Sequence, residues 1–237
     1  RQRQMCIRDR RYSLWPLMVF ANAIQNNDPS VRIFERRDGV LLRTVRTAVD
    51  LTYRGHFLPL NNALREKSLN TEEMYQGIAI AYAHSRDPEL LDVARLQGRV
   101  ALSAEGELVG QDLASARAVP FHFRSRLLRD WADGSSGAVS LLRDGDSQTG
   151  QLLVLKNGSQ GMGHGHFDRL NWLYYDQGDV VVTDYGSARF HNVAAKEGGR
   201  YLSENESWAK QSIAHNVLVV DGRSHFGGVL ELSLIHI

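Results

Sequence analysis

The sequence predicts an α+β architecture, with helices first and strands second. Apolar residues recur at helical spacing through the first half. From about Ser135 the period shortens to alternation in brief runs bounded by turn residues. The chain shows no repeating strand–helix–strand pattern, so its layers are segregated rather than interleaved.

Leu14, Leu17, Met18, Ala21 and Ile24 fall on one helical face. Asp28-Pro29-Ser30 breaks that helix and caps the next. A second stripe runs through Phe34, Leu41, Val45, Ala48 and Leu51, with a weak spot at Gly39. Asn70 followed by Glu73 has the spacing of a capping box. A third stripe follows in Met74, Ile78, Ala81 and Tyr82. Asp87-Pro88 is a helix start with proline at the first helical position, and Leu90, Leu91 and Ala94 follow it. Short loops between these helices imply an array of helical hairpins. Gly106–Pro120 is expected to be the connection to the strands.

Val139–Arg143 and Leu152–Lys156 read as strands around the turn-rich Asp144–Gly150. Leu170–Tyr175 and Asp179–Asp184 read as a hairpin about Gln177-Gly178, and His215–Val220 as a further strand ended by Asp221-Gly222. The 237 residues suffice for one large domain or two modest ones. A net charge of +1 supplies no global field toward nucleic acid or a membrane surface. No apolar run is long enough to span a bilayer.

The ends read differently. Arg1–Arg10 and Leu232–Ile237 resemble translated sequencing-adapter sequence at the edges of a gene fragment, and they are set aside from fold reasoning. The first ten residues are expected to pack poorly and carry no chemistry. The single cysteine, Cys6, lies there, which excludes an internal disulfide.

Gln160–Arg169, QGMGHGHFDR, concentrates the chemistry. In an extended segment His164, His166 and Asp168 share one side. Asp184 and His215 are each expected at a strand end. Two histidines and one carboxylate from separate strands could meet at one metal ion, with Asp168 as the substitute for Asp184. Such histidines are as often satisfied by hydrogen bonds alone. Tyr201, in the polar segment before His215, is commonly a packed residue or else a proton donor or acceptor. Arg189 is either an ion-pair residue or a clamp on a substrate carboxylate.

Three longer strings give these residues a context. GMGHGHFD (Gly161–Asp168), DYGxARF (Asp184–Phe190) and GGRYLxENxSxAKQxIAHNxLVVDGxSHF (Gly198–Phe226) resemble the exo-acting oligoalginate lyases of the heparinase II/III-like superfamily. RYSLWPLMVFANAI, Asn61–Leu69 and Ala79–Arg86 resemble the helical part of the same family. The resemblance implies a partial α/α toroid over residues 11–116 and an antiparallel β-sandwich over 117–231. It implies a structural zinc ion on His166, Asp184 and His215. It implies catalytic roles for Tyr201 and His164 and substrate binding by Arg189 and Arg11.

The implied reaction is β-elimination on alginate or oligoalginate. The C5 proton is removed, the C4 oxygen leaves, and an unsaturated uronate remains. Neutralising the adjacent carboxylate stabilises the developing carbanion. The implied partner is thus an anionic polysaccharide rather than nucleic acid or membrane, in a periplasmic or secreted setting, with a homodimer allowed. The family's main catalytic tyrosine would fall within Arg1–Arg10, and its asparagine–histidine pair upstream of it. The chain alone is therefore expected to be inactive. Two other readings stand beside this one. A two-histidine, one-carboxylate set suits a metal-dependent oxygenase on a β-barrel, although Asp168 is nearer to the H-x-H pair, and Asp184 farther, than a barrel carboxylate. A non-catalytic carbohydrate-binding module is the second.

Overall fold

The computed structural model describes residues 7–61, 63, 67–115, 118–130, 136–146, 148–158, 165–184, 186 and 207–225, with backbone alone for 7–12, 130, 136 and 137. The chain divides into two compact units. One is helical, formed by Ile7–Phe57 and Glu66–His122. The other contains a sheet and comprises Phe123–Ile237 with Leu58–Arg65 and Arg1–Cys6.

The helical unit holds α1 (Ile7–Asn27), α2 (Arg36–Asp50), α3 (Glu72–Ser85), α4 (Pro88–Gln97) and α5 (Ala104–Ala114). A two-stranded hairpin, β1 (Thr52–Tyr53) and β2 (His56–Phe57), follows α2. Arg54 and Gly55 turn this hairpin with φ of 48° and 77°, the positive pair that a two-residue connection requires. Helix α3 packs against α1, α2, α4 and α5. Its buried residues include Met74 and the whole run Gly77 to Tyr82, so the helix at the centre of the unit is apolar nearly all round. Leu14, Met18 and Ala21 of α1 are buried as their spacing requires. Leu17 is not, being 48% exposed at the edge of the stripe.

Asp28 accepts from the Ser30 N–H and starts a single 3-10 turn, Pro29–Val31, rather than a long helix. The weak spot at Gly39 is a kink, with Arg37, Asp38 and Gly39 all left-handed. The N-cap of α3 is Thr71, without a side-chain cap bond, so the Asn70–Glu73 capping box does not form. Asp87 caps α4 by accepting from the Glu89 N–H at 3.0 Å. Gly106–Pro120 is not simply a connection, because α5 occupies its first half. Ser103 caps α5 by accepting from the Gly106 N–H. A Cβ on Gly106 would overlap the Ala101 carbonyl, so this glycine reflects close approach rather than a turn. The adapter-like segment enters the helix too, with Ile7–Arg10 forming the first turn of α1.

The sheet unit carries one antiparallel meander in the order β3 (Arg126–Asp130), β4 (Ser136–Asp144), β5 (Gln151–Lys156), β6 (Trp172–Asp176) and β7 (Asp179–Val182). Cross-strand partners Leu141–Val154, Val154–Leu173 and Leu152–Tyr175 set the register and bury one face. Lys156 has the same strand parity as Leu152 and Val154 and is likewise buried. Gln177 and Gly178, with φ of 49° and 87°, turn the β6–β7 hairpin. His215–Val220 is not a strand. A 3-10 turn at Ser212–Ala214 leads into bends, and Val220 makes only an isolated bridge to Arg223. The Asn216 side chain donates to Trp172 O and Thr183 O, anchoring this stretch by a side chain where a ladder would use backbone.

Candidate functional site

The buried polar groups of the sheet unit gather around two histidines. Lys156 ends β5. Residues 165–170 carry His166 and Asp168 and are held in place by backbone bonds. Phe167 N–H donates to Lys210 O at 2.8 Å, and Leu170 N–H to Lys156 O at 2.8 Å. Leu170 has φ +61°, which closes the turn back toward β6. Asp184 lies two residues beyond β7. His215 follows the 3-10 turn, whose Ser212 hydroxyl donates to Phe167 O. The segment around His166 is therefore a loop rather than a strand, yet His166 and Asp168 still enter one cluster.

The cluster is closely connected. His215 Nδ1 and Asp184 Oδ2 are 2.7 Å apart. With a carboxylate on Nδ1, the imidazole donates there and its Nε2 carries the lone pair. Asp184 Oδ2 also accepts from Asn171 Nδ2, and Oδ1 accepts from the Gly186 N–H at 2.9 Å. The rings of His166 and His215 lie 5.0 Å apart, tilted by 37°. One potential ligand atom from each of His166, Asp168 and His215 lies within 4.8 Å of the others. The Lys156 ammonium donates to Asp168 Oδ1, and the two side chains are 4% and 1% exposed.

This environment sets the charges. Burial drives the His166 imidazole down to about 3, so it is neutral near pH 7. Burial also opposes protonation of His215, but the hydrogen bond and charge of Asp184 outweigh it and raise its pKa. Asp168 is pushed up by burial and pulled down further by Lys156 and the histidines, ending below its usual range. His166 is therefore neutral, whereas His215 is held toward its protonated form by Asp184, and Lys156 supplies the fixed positive charge beside Asp168. Asp168 Oδ2 and His215 Nε2 are buried without a hydrogen-bond partner. Asp168 Oδ2 is a buried orphan acceptor, His215 Nε2 becomes one once its proton is lost, and nitrogen and oxygen donors of this kind suit zinc.

His166, Asp184 and His215 thus lie in one buried cluster together with Asp168. His164, Arg189 and Tyr201 lie outside the described residues. Arg11 is placed on α1 by its backbone alone. Lys156 and Asn171 are members of the cluster that the sequence reading passed over.

Residues 128–233 match the family model "Heparinase II/III-like, C-terminal". An "Alginate lyase" of Stenotrophomonas maltophilia (strain K279a) is 56% identical over 218 residues, 92% of this chain and 29% of that protein. An "Exo-oligoalginate lyase" of Saccharophagus degradans is 50% identical over 226 residues, 95% of this chain and 31% of that protein. This chain therefore spans under a third of the length of these relatives. In fold it is similar to a heparinase III structure, at a TM-score of 0.60 and 13% identity over 90% of this chain and 29% of that one. It is similar also to a heparan sulfate lyase from Pedobacter heparinus, at 0.56 and 12% over 94% and 30%. Residues 128–233, which hold the buried histidine–carboxylate cluster, thus match the heparinase II/III-like C-terminal family model, and the chain is similar along nearly its whole length to one stretch of these two alginate lyases.

Proposed function

We propose that this chain is part of a polysaccharide lyase that cleaves alginate or oligoalginate by β-elimination. The observation that carries the reading is 50–56% identity to an alginate lyase and an exo-oligoalginate lyase across the stretch that holds the buried cluster. The substrate would be an anionic uronate chain, met in the periplasm or outside the cell. The helical unit would form part of an α/α toroid, and the five-stranded sheet one layer of a β-sandwich. The relatives favour neither an oxygenase nor a non-catalytic binding module.

Arg189 and Arg11 would engage the uronate carboxylate through their planar guanidinium groups. That contact neutralises the charge that otherwise opposes loss of the C5 proton. Tyr201 would move a proton at its hydroxyl, and His164 would hydrogen-bond the substrate beside the cluster.

His166, Asp184 and His215 would hold zinc, and Asp168 would not. Lys156 already pairs Asp168 with a fixed positive charge, whereas Asp184 is held by His215, Asn171 and the Gly186 N–H, none of them a permanent cation. When bound, the ion would supply a structural tie among three chain segments. In a full-length protein carrying this stretch, Tyr201→Phe should lower turnover by about 10²–10⁴-fold while leaving the fold intact. Unsaturated-uronate absorbance reads the turnover. Unchanged turnover would remove Tyr201 from the chemistry.

A further inference from the structure

Lys156 sits where a strand of this parity should carry an apolar side chain. Leu152 and Val154 precede it on the same buried face. A buried ammonium is costly unless it is fully engaged. Here it has two acceptors. One is Asp168 Oδ1, and the other is Asn61 Oδ1 at 2.5 Å. Asn61 belongs to Leu58–Arg65, a segment that joins the sheet unit although its sequence neighbours on both sides are helical-unit residues. The backbone of Asn61 is left-handed, with φ +55°, and its side-chain amide oxygen accepts from the lysine.

The same segment approaches the other carboxylate. A Cβ on Gly186 would run into the Ala63 carbonyl and crowd Pro59, so only glycine lets the 186 N–H reach Asp184 Oδ1. Both carboxylates of the cluster thus receive a fixed partner, but of different kinds. Asp184 receives neutral donors and a histidine, whereas Asp168 receives a full positive charge. Asp168 Oδ2 nevertheless stays buried, without a hydrogen-bond partner, beside the histidines. By position it could serve as a ligand, since one of its oxygens lies within 4.8 Å of a nitrogen of each histidine.

We propose that Lys156, fixed by Asn61, is a built-in cation of the zinc centre that keeps Asp168 out of the ligand set. The proposal rests on the zinc reading above. The lysine acts twice. Its bond occupies one oxygen of Asp168, and its charge repels a cation approaching the other. It is a positioning residue, and it restricts the protein ligands to His166, Asp184 and His215.

The consequence separates this role from simple scaffolding. In a scaffolding role, loss of Lys156 would weaken both the fold and the metal site. In the proposed role it weakens the metal-free fold, because Asp168 loses its counter-charge, but tightens zinc binding, because Asp168 becomes available. The test measures zinc affinity of the 237-residue chain by competition with a chromophoric chelator at one neutral pH. Thermal unfolding of the stripped and loaded forms is recorded in parallel.

Lys156→Met should bind zinc about tenfold tighter or more, melt lower when stripped, and regain its stability with zinc. Lys156→Arg keeps the charge and should bind as the wild type does. Asn61→Leu loosens the ammonium and should tighten zinc to a smaller degree. Lys156→Met with Asp168→Asn should return to wild-type affinity, and it remains informative if the single variant folds poorly. Equal or weaker zinc binding by Lys156→Met, in a chain whose wild type binds zinc, overturns the inference alone. A wild-type chain that binds no zinc overturns the metal reading and this inference with it.

Discussion

The helical and sheet units bury comparable polar groups and treat them differently. In the helical unit the buried charged groups find partners, although Thr71 Oγ1 is left without one. The Tyr82 hydroxyl donates to Asp112, which Arg86 also reaches at 3.2 Å. Arg46 bridges Asp87 and Glu89, and Asp92 accepts from the Phe121 N–H at 2.9 Å. His84 lies 2.8 Å from Asn22 Oδ1 and stacks on Phe34 at 3.9 Å. In the sheet unit the buried charges converge on one point, and Asp168 and His215 each keep an atom without a hydrogen-bond partner there. A satisfied network ties a fold together. A network with unpartnered buried atoms has room for a ligand.

The largest contrast should come from deleting one carboxylate in each unit. Asp184→Ala removes a proposed ligand together with the partner of His215, Asn171 and Gly186. Zinc affinity should fall by at least about 100-fold, at or beyond the upper end of losses seen for outer-shell partners. Asp112→Ala leaves the Tyr82 hydroxyl unmatched and should cost about 1–3 kcal/mol of stability. Its zinc affinity should be unchanged. Chelator competition and urea unfolding on both variants decide the matter. The distinction between the units collapses if Asp112→Ala weakens zinc as much as Asp184→Ala does.

How much of this contrast was legible in the sequence depends on the interaction that wrote it. Periodicity located α1, β5 and β6, which bury one face, while Asp87-Pro88 placed the start of α4 and the Gln177-Gly178 turn placed the mostly exposed β7. It described α3 less well, since a helix enclosed on nearly every side loses its polar stripe. It missed β3, whose RLLRD reads as charged loop and whose Leu127 is 49% exposed. It missed α5, whose Gly106 serves close approach at Ala101 rather than breaking the helix. His166, Asp184 and His215 were legible as residue types. Lys156 carried a signal that went unread, a cation at a buried parity position after Leu152 and Val154. Asn61 carried none, because its partner is 95 residues away and only the tertiary fold joins them.

A smaller effect should separate the units by pH. In the stripped chain the folded state refuses a proton on His166 until about pH 3, whereas the unfolded chain accepts it near 6.5. The unfolded state therefore binds more protons between these values, and stability falls as pH falls through that window. Asp168, also depressed, has the same sign: its contribution is present above its unfolded value and is lost on acidification. His215 has the opposite sign. Its raised pKa contributes stability below about 6.5 that is lost as pH rises through the folded value. Stripped protein should melt lower at pH 4.5 than at pH 6.5, and the sheet unit should lose more protection from hydrogen exchange than the helical unit does. Identical melting at both pH values would contradict the neutral, buried His166.

The smallest effect tests the helical unit's own accounting at Asp87. This residue caps α4 through the Glu89 N–H and also receives Arg46. Asp87→Ala removes both and should cost about 1 kcal/mol, the usual value of a lost N-cap. The ion pair adds little by itself, because both side chains remain about one-fifth exposed and solvent screens them. Asp87→Asn keeps an oxygen for the cap and discards the charge. It should recover most of the loss, with zinc affinity at the wild-type level in both variants. If Asp87→Asn is as costly as Asp87→Ala in urea unfolding, the Arg46 pair rather than the cap holds this helix start. The helical unit would then depend on charge pairing, as the sheet unit does, and the contrast between them would narrow to the open valence at Asp168 and His215.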